Sequence, residues 1–308
     1  MMSELVVEVN NLSRSFGKTN ALDCVDFKAI RGKVYGLVGA NGAGKTTLIK
    51  HLLGLLRAKS GSVRIFGEDP VRNPQGVLKR IGYLSEDRDI PDWMSIDELM
   101  RYTSAYHSGW DQSYAAELLN TFSLDSAKKI KTLSRGMRAQ VALISAVAHR
   151  PDLLILDEPS SGLDAVVRKD ILNAVVRTIS EEGRTVIFSS HLLEEVERLS
   201  DHVTMIHQGK ITLDSSLEFI NKNHHWSSIS FLEPQNSLPT LEGVVEISGE
   251  GRSFSAVHQG SISAFQDAVN KIGGAVIESR NATLEEVFVS RVGRPNMREM
   301  GQEKENSK

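Results

Sequence analysis

Short, unbroken apolar runs punctuate this chain, and stretches of helical period lie between them. Residues 34–38, 153–156 and 185–190 read VYGLV, LLIL and TVIFSS, near-continuous apolar runs of the kind found in strands buried on both faces of a parallel sheet. Shorter strands are expected at 5–9, 25–27 and 61–66, and another pair at 202–207 and up to Asp214, joined by a turn at Gln208 and Gly209. Leu48, Ile49, Leu52, Leu53, Leu55 and Leu56 recur with helical spacing, and a helical insert is expected over about 91–150. Inside it, Ser95 with Glu98 forms a capping-box pattern, Asp111 is a candidate cap for a second helix, and 137–149 is a helical run. Beyond an NKNHHWS junction at 221–227, strands are expected at 228–232, 244–247, 253–257 and 275–279, with helices at 261–272 and 284–292. The expected fold class is α/β: a mainly parallel sheet core with a helical subdomain, followed by a small C-terminal α+β domain. The domain limits are set at 1–220 and 221–293, and the polar segment 294–308 is expected to be disordered.

The junctions between these elements carry the chemistry. GANGAGKTT at 39–47 follows the first apolar run and leads into a helix, and Gly39, Gly44, Lys45 and Thr46 fit G-x-x-x-x-G-K-[ST]. Gly39, Gly42 and Gly44 let the backbone take positive φ and approach a polyphosphate, so that N–H groups converge as an anion nest. The helix N-terminus adds its dipole, Lys45 a point charge, and the Thr46 hydroxyl a ligand for magnesium. Asn41, Ala43 and Thr47 complete the nucleotide-binding loop of this P-loop NTPase pattern. Asp157 and Glu158 fall where LLIL ends, the strand edge at which open α/β sheets place their ligands. Asp157 is the expected holder of the magnesium shell, and Glu158 the group that orients and polarises an attacking water.

LSRGM at 133–137, LLILDEP at 153–159, SSGLD at 160–164 and His191 after TVIFSS resemble, in order and spacing, the signature, Walker B, D-loop and switch histidine of the ATP-binding cassette (ABC) ATPases. The resemblance covers roughly residues 5–214. It implies ATP and Mg2+ as ligands and two cassettes closing head to tail, as a homodimer or heterodimer. Ser134 and Gly136 would then touch the γ-phosphate held by the other subunit's loop, Asp164 would meet the opposing site, and His191 would contact the γ-phosphate region. Phe16 lies where the family places an aromatic residue that stacks on adenine; a core phenylalanine after the first strand is the competing reading. Two features depart from the pattern. Glu86 stands where the family has a metal-facing glutamine, which adds negative charge beside Asp157 and Glu158. Arg135 and Met137 alter the signature. The segment ATLEEVFVSRVG near the C-terminus is similar to the end of bacterial exporter-type cassettes whose transmembrane permease is a separate chain.

Composition narrows the setting. With 308 residues, 40% of them hydrophobic, the chain suits one large and one small domain. A formal net charge of -3 gives no electrostatic case for nucleic acid. The charge run 194–197 reads as a solvated helix face, and the adjacent His224 and His225 as structurally neutral, since they lack metal-ligand spacing. The single cysteine, Cys24, fits a reducing compartment. With no N-terminal h-region and no apolar run near about 18 residues, the protein is expected in the cytoplasm, peripheral on the inner face of the cell membrane. Tyr83, Trp93, Tyr102, Tyr106, Trp110, Tyr114 and Phe122 crowd into 83–122; a mixture of helical core and docking surface is expected, with Trp93 or Trp110 exposed. The leading function is the ATP-hydrolysing subunit of an ABC transporter that powers export. Two alternatives stay open: a soluble ABC ATPase acting on ribosomes or DNA, and a regulatory ATP-binding module with little hydrolysis.

Overall fold

The computed structural model describes residues 4–180 and 183–292. The chain divides into two compact units, Met1–Asp214 and Ser215–Lys308. In chain order the first holds β1 (Leu5–Phe16), β2 (Thr19–Ile30), β3 (Val34–Val38), α1 (Lys45–Leu52), β4 (Ser60–Ile65), α2 (Pro74–Leu78) and β5 (Ile81–Leu84). The helical insert follows as α3 (Ile96–Ser104), α4 (Gln112–Thr121) and α5 (Arg135–Val147). Then come β6 (Leu153–Leu156), α6 (Ala165–Ser180), β7 (Thr185–Ser190), α7 (Leu193–Leu199), β8 (His202–His207) and β9 (Lys210–Ser216).

Six strands form one sheet in the order β5-β6-β7-β3-β8-β9. The neighbours from β5 to β8 are parallel, and every residue of β3, β6 and β7 is buried, as their unbroken apolar runs require. Gln208 and Gly209, at φ 48° and 78°, supply the left-handed pair that turns β8 tightly into β9. A second sheet, β2-β1-β4, is antiparallel. Its strands run well beyond the expected 5–9 and 25–27. The polar NNLSRS stretch of β1 stays in the ladder through register shifts and the left-handed residues Asn11 and Cys24, which apolar periodicity does not reveal. Leu12, Phe27, Leu37, Leu48, Leu52 and Ile155 lie in one core shared by the two sheets and α1. In β3, a Cβ on Gly36 would stand 2.5 Å from Ser200 Oγ and 2.6 Å from Val196 Cγ1, so the absence of a side chain lets α7 pack against the strand.

In the insert, Ser95 Oγ accepts from the Glu98 N–H at 3.2 Å, and the Glu98 carboxylate accepts from the Ser95 N–H at 2.7 Å. Asp111 caps α4 by accepting from the Tyr114 N–H at 2.9 Å. α5 begins at Arg135, two residues before the expected start, because the Ser134 hydroxyl accepts from the Met137 N–H at 3.2 Å. The aromatics divide: Trp93, Tyr102 and Tyr106 are exposed, Trp110 is half-buried, and Tyr114 and Phe122 are core. Among the described residues no helix is long and apolar enough to cross a membrane.

The second unit holds α8 (Leu217–Asn223), β10 (His224–Gln235), β11 (Val244–Gln259), α9 (Ile262–Lys271), β12 (Gly274–Asn281) and α10 (Leu284–Val292). Its antiparallel sheet, in the order β11-β10-β12, packs Ile229, Phe231 and Phe254 with Phe265 and Val269 of α9. The segment 221–227 is not a junction. The units divide between Asp214 and Ser215, since Ser216 caps α8, Ile220 is buried, and the chain passes directly into β10. His224 and His225 are therefore core residues rather than neutral ones. His224 Nδ1 lies 3.1 Å from the Ile220 carbonyl, and His225 pairs across the ladder with His258. The separate strands expected at 244–247 and 253–257 form one strand, β11. The tail 294–308 lies outside the described residues.

Candidate functional site

The loop after β3 closes on α1. The first bond of the helix ladder runs from the Leu48 N–H to the Gly44 carbonyl at 2.9 Å, so the N–H groups of Lys45, Thr46 and Thr47 stand at the helix N-terminus as donors for an anion. A cavity of about 310 Å³ opens there, lined by Ala40, Asn41, Gly42, Ala43, Gly44, Lys45, Thr46 and Thr47 together with Glu86 and Glu158. Gly42 and Gly44 take positive φ, 77° and 120°. Gly39 does not; it is required for a different reason, since a Cβ there would lie 2.4 Å from the Ile206 carbonyl oxygen of β8. This concave set of backbone donors with one buried lysine fits a nucleotide polyphosphate.

Two carboxylates stand at the end of β6, both buried. The Ser189 hydroxyl donates to Asp157 Oδ1 at 2.7 Å and accepts from the Glu158 N–H at 2.9 Å, so one side chain of β7 fixes both residues. Glu158 sits in left-handed backbone at φ 47°. Lys45 Nζ donates to the Gly39 carbonyl at 2.6 Å and lies 3.1 Å from Glu158 Oε1, an ion-pair separation without hydrogen-bond geometry. His191 Nδ1 lies 2.7 Å from Glu158 Oε2, and the His191 N–H donates to the same oxygen at 3.3 Å. A carboxylate only accepts, so Nδ1 carries the ring proton in this contact. Lys45, Glu158 and His191 are thus in mutual reach through one carboxylate.

The proposed metal ligands Thr46, Glu86 and Asp157 all line a neighbouring cavity of about 700 Å³. A hydroxyl and two carboxylates are the hard oxygen donors that magnesium takes. Nearby, burial and then the charge of Asp157 push the Tyr83 phenol up to about 12.

Ser134, Gly136 and Asp164 do not line the phosphate cradle of their own chain. Ser134 caps α5. Gly136 leaves room for Val167, whose Cγ2 would stand 2.9 Å from an added Cβ. Asp164 starts α6 by accepting from the Val166 and Val167 N–H groups at 3.0 Å. Phe16 ends β1 exposed, with the Arg14 guanidinium 4.8 Å from its ring centroid, so it is not the core phenylalanine of the competing reading.

Several supporting residues were not anticipated. Ser189 and Ser190 are fully buried hydroxyls that follow the apolar residues 186–188 of β7, and that polarity at a strand's carboxyl edge is a usable signal. Glu195 corrects the reading of 194–197 as a wholly solvated face. It is buried, accepts from the Ser160 and Ser190 hydroxyls at 2.7 and 3.1 Å, and ties the loop after Glu158 to α7. Its place beside Val196 on the buried stripe of α7 is the physical reason. Arg88 is buried as well, and nothing in SEDRDIPD distinguishes it from a surface charge.

The family model described as ABC transporter matches residues 22–161. A second, described as AAA domain, putative AbiEii toxin, Type IV TA system, matches 129–197, which includes β6 and β7. Among curated relatives, the uncharacterized ABC transporter ATP-binding protein YdbJ of Bacillus subtilis is 32% identical over 244 residues, 79% of this chain and 79% of its own length. The bacitracin transport ATP-binding protein BcrA of Bacillus licheniformis is 32% identical over 77% of this chain and 78% of its own. A solved ATP-binding subunit of an ABC transporter superposes with a TM-score of 0.65 at 28% identity, covering 70% of this chain and 92% of that one. With its P-loop cradle, its paired carboxylates at the sheet edge and these relatives, the chain belongs to the ATP-binding subunits of ABC transporters, a family of ATP-binding ATPases.

Proposed function

We propose that this chain hydrolyses ATP to power export through a separate transmembrane permease, working on the inner face of the cell membrane as one of two cassettes. The observation that carries the reading is the convergence of Lys45 and His191 on the buried Glu158 carboxylate. Residues 39–47 bind the phosphates through backbone N–H groups, and Lys45 neutralises charge on them. Glu158 orients water for attack on the terminal phosphoryl group and takes up its proton, while His191, bonded to the same carboxylate, fixes its direction. Thr46, Glu86 and Asp157 are the residues that would hold magnesium, which supplies charge neutralisation at the phosphate oxygens. Ser134, Gly136 and Asp164 are left for ATP held by a second cassette, which makes the pair the active unit. The relative BcrA is named for bacitracin transport; that name and the likeness of the C-terminal segment to exporter-type cassettes support export.

The test is ATP turnover by the full chain, alone and with its membrane partner. Glu158→Gln is expected to slow kcat by about a hundredfold or more while ATP binding persists and an ATP-bound dimer accumulates. Wild-type turnover in that variant, or no turnover by the native protein in either setting, would refute the assignment.

A further inference from the structure

Arg88 is an arginine in an unusual position. It is 6% exposed and sits in left-handed backbone at φ 53°, and among the described residues no carboxylate lies within ion-pair distance of it. Its Nη2 instead donates to two backbone carbonyls more than seventy positions away, Ser161 O at 2.7 Å and Pro159 O at 3.3 Å, while its buried Nε has no partner. A charge buried without an ion-pair partner costs stability, so packing alone does not explain it.

What it holds is informative. Pro159 and Ser161 directly follow Glu158, and Ser189 already pins the Glu158 N–H from the other side. Arg88 itself lies two residues after Glu86, which lines the cradle together with Lys45 and Glu158. One guanidinium therefore joins the loop bearing a proposed metal ligand to the loop that sets the backbone of the proposed water-orienting carboxylate. We propose that Arg88 is a positioning residue for hydrolysis, transmitting the placement of the Glu86 loop to the Glu158 carboxylate through the Pro159 and Ser161 carbonyls. The proposal rests on the reading of Glu158 given above. Lysine in its place carries the charge, but as a point donor on a flexible stem it lacks the fixed plane that aims both Nη2 N–H bonds at these carbonyls.

The test compares Arg88→Met, Arg88→Lys and Glu158→Gln with the native full-length chain. Arg88→Met is expected to lower kcat about tenfold or more with KM for MgATP held within about twofold, and Arg88→Lys to recover part of that loss. Hydrogen exchange of the Glu158 and Ser161 amides, measured without nucleotide, is expected to quicken in Arg88→Met and less in Arg88→Lys; this readout needs no turnover. Unchanged exchange at those amides, or a loss confined to KM, overturns the positioning role. If Arg88→Met does not fold, Arg88→Lys decides alone, and native kcat with native exchange in it overturns the proposal. Wild-type turnover in Glu158→Gln would instead sink the underlying assignment of Glu158, leaving the exchange result to report on the latch by itself.

Discussion

Glu158 combines two demands that ordinarily conflict. Its carboxylate must meet Lys45 and His191, and to do so its backbone adopts φ 47°, a region that costs a residue with a Cβ roughly 1–2 kcal/mol. Removing the carboxylate separates the two effects. Glu158→Gly and Glu158→Ala should both be inactive, yet the glycine variant should be the more stable in urea unfolding by about 0.5–1 kcal/mol, because relief of the left-handed strain exceeds the extra freedom glycine has when unfolded. Equal stability, or a more stable alanine variant, would show that the backbone there is unstrained. The carboxylate pair was legible in the sequence because it ends an apolar strand. Its clamps were less so: Arg88 sits among acidic residues that look solvated, and Glu195 lies in a charge run whose neighbours Glu194 and Glu197 are indeed exposed.

At the scale of elements, what could be read depended on how far a strand or helix is defined by its own residues. β3, β6, β7 and β8 have the limits that their apolar runs indicate, and the caps at Ser95 and Asp111 are local chemistry. β1 and β2 outrun their apolar segments because an antiparallel partner supplies hydrogen bonds to polar residues too. The start of β10 reads as a linker in sequence because two adjacent histidines look like surface until the ladder buries them. Packing between elements was equally hidden. Gly36 in β3 carries no sequence signal beyond its type, yet a methyl group there would meet Val196 of α7 at 2.6 Å and Ser200, just past the helix, at 2.5 Å. Gly36→Ala should therefore cost about 1–3 kcal/mol in urea unfolding through overpacking, and adding Val196→Ala should restore part of it. Full native stability in Gly36→Ala would mean that α7 can withdraw freely from the sheet.

Across the whole molecule, each unit contains a histidine that burial keeps neutral. Burial, and next the adjacent His107, push His149 in the first unit down to about 4; burial, and next His225, do the same to His258 in the second. The folded forms of these side chains therefore bind a proton less readily than the unfolded chain, whose histidines titrate near 6.5. Between those values the unfolded state holds more protons, so their contribution to stability is complete above about pH 6.5 and is lost as pH falls towards about 4. For His149 alone the effect is on the order of 3 kcal/mol. Urea midpoints measured from pH 7 to 4.5 should fall in the native protein and fall less in His149→Gln; identical pH profiles would rule this source out. The large sheet sets a different kind of constraint. Lys45, Glu158 and His191 arrive from three neighbouring parallel strands, β3, β6 and β7, held in a fixed register: Val38 at the end of β3 lies beside Ser190 at the end of β7, and Leu156 at the end of β6 beside Phe188, two residues earlier in β7. Valine, isoleucine and leucine can replace one another inside these strands without moving that meeting point. One residue inserted or deleted within any of them shifts its delivered group by about 3.3 Å relative to the others and turns alternate side chains to the opposite face. The sheet edge thus works as a vernier, tolerant of lettering and intolerant of spacing.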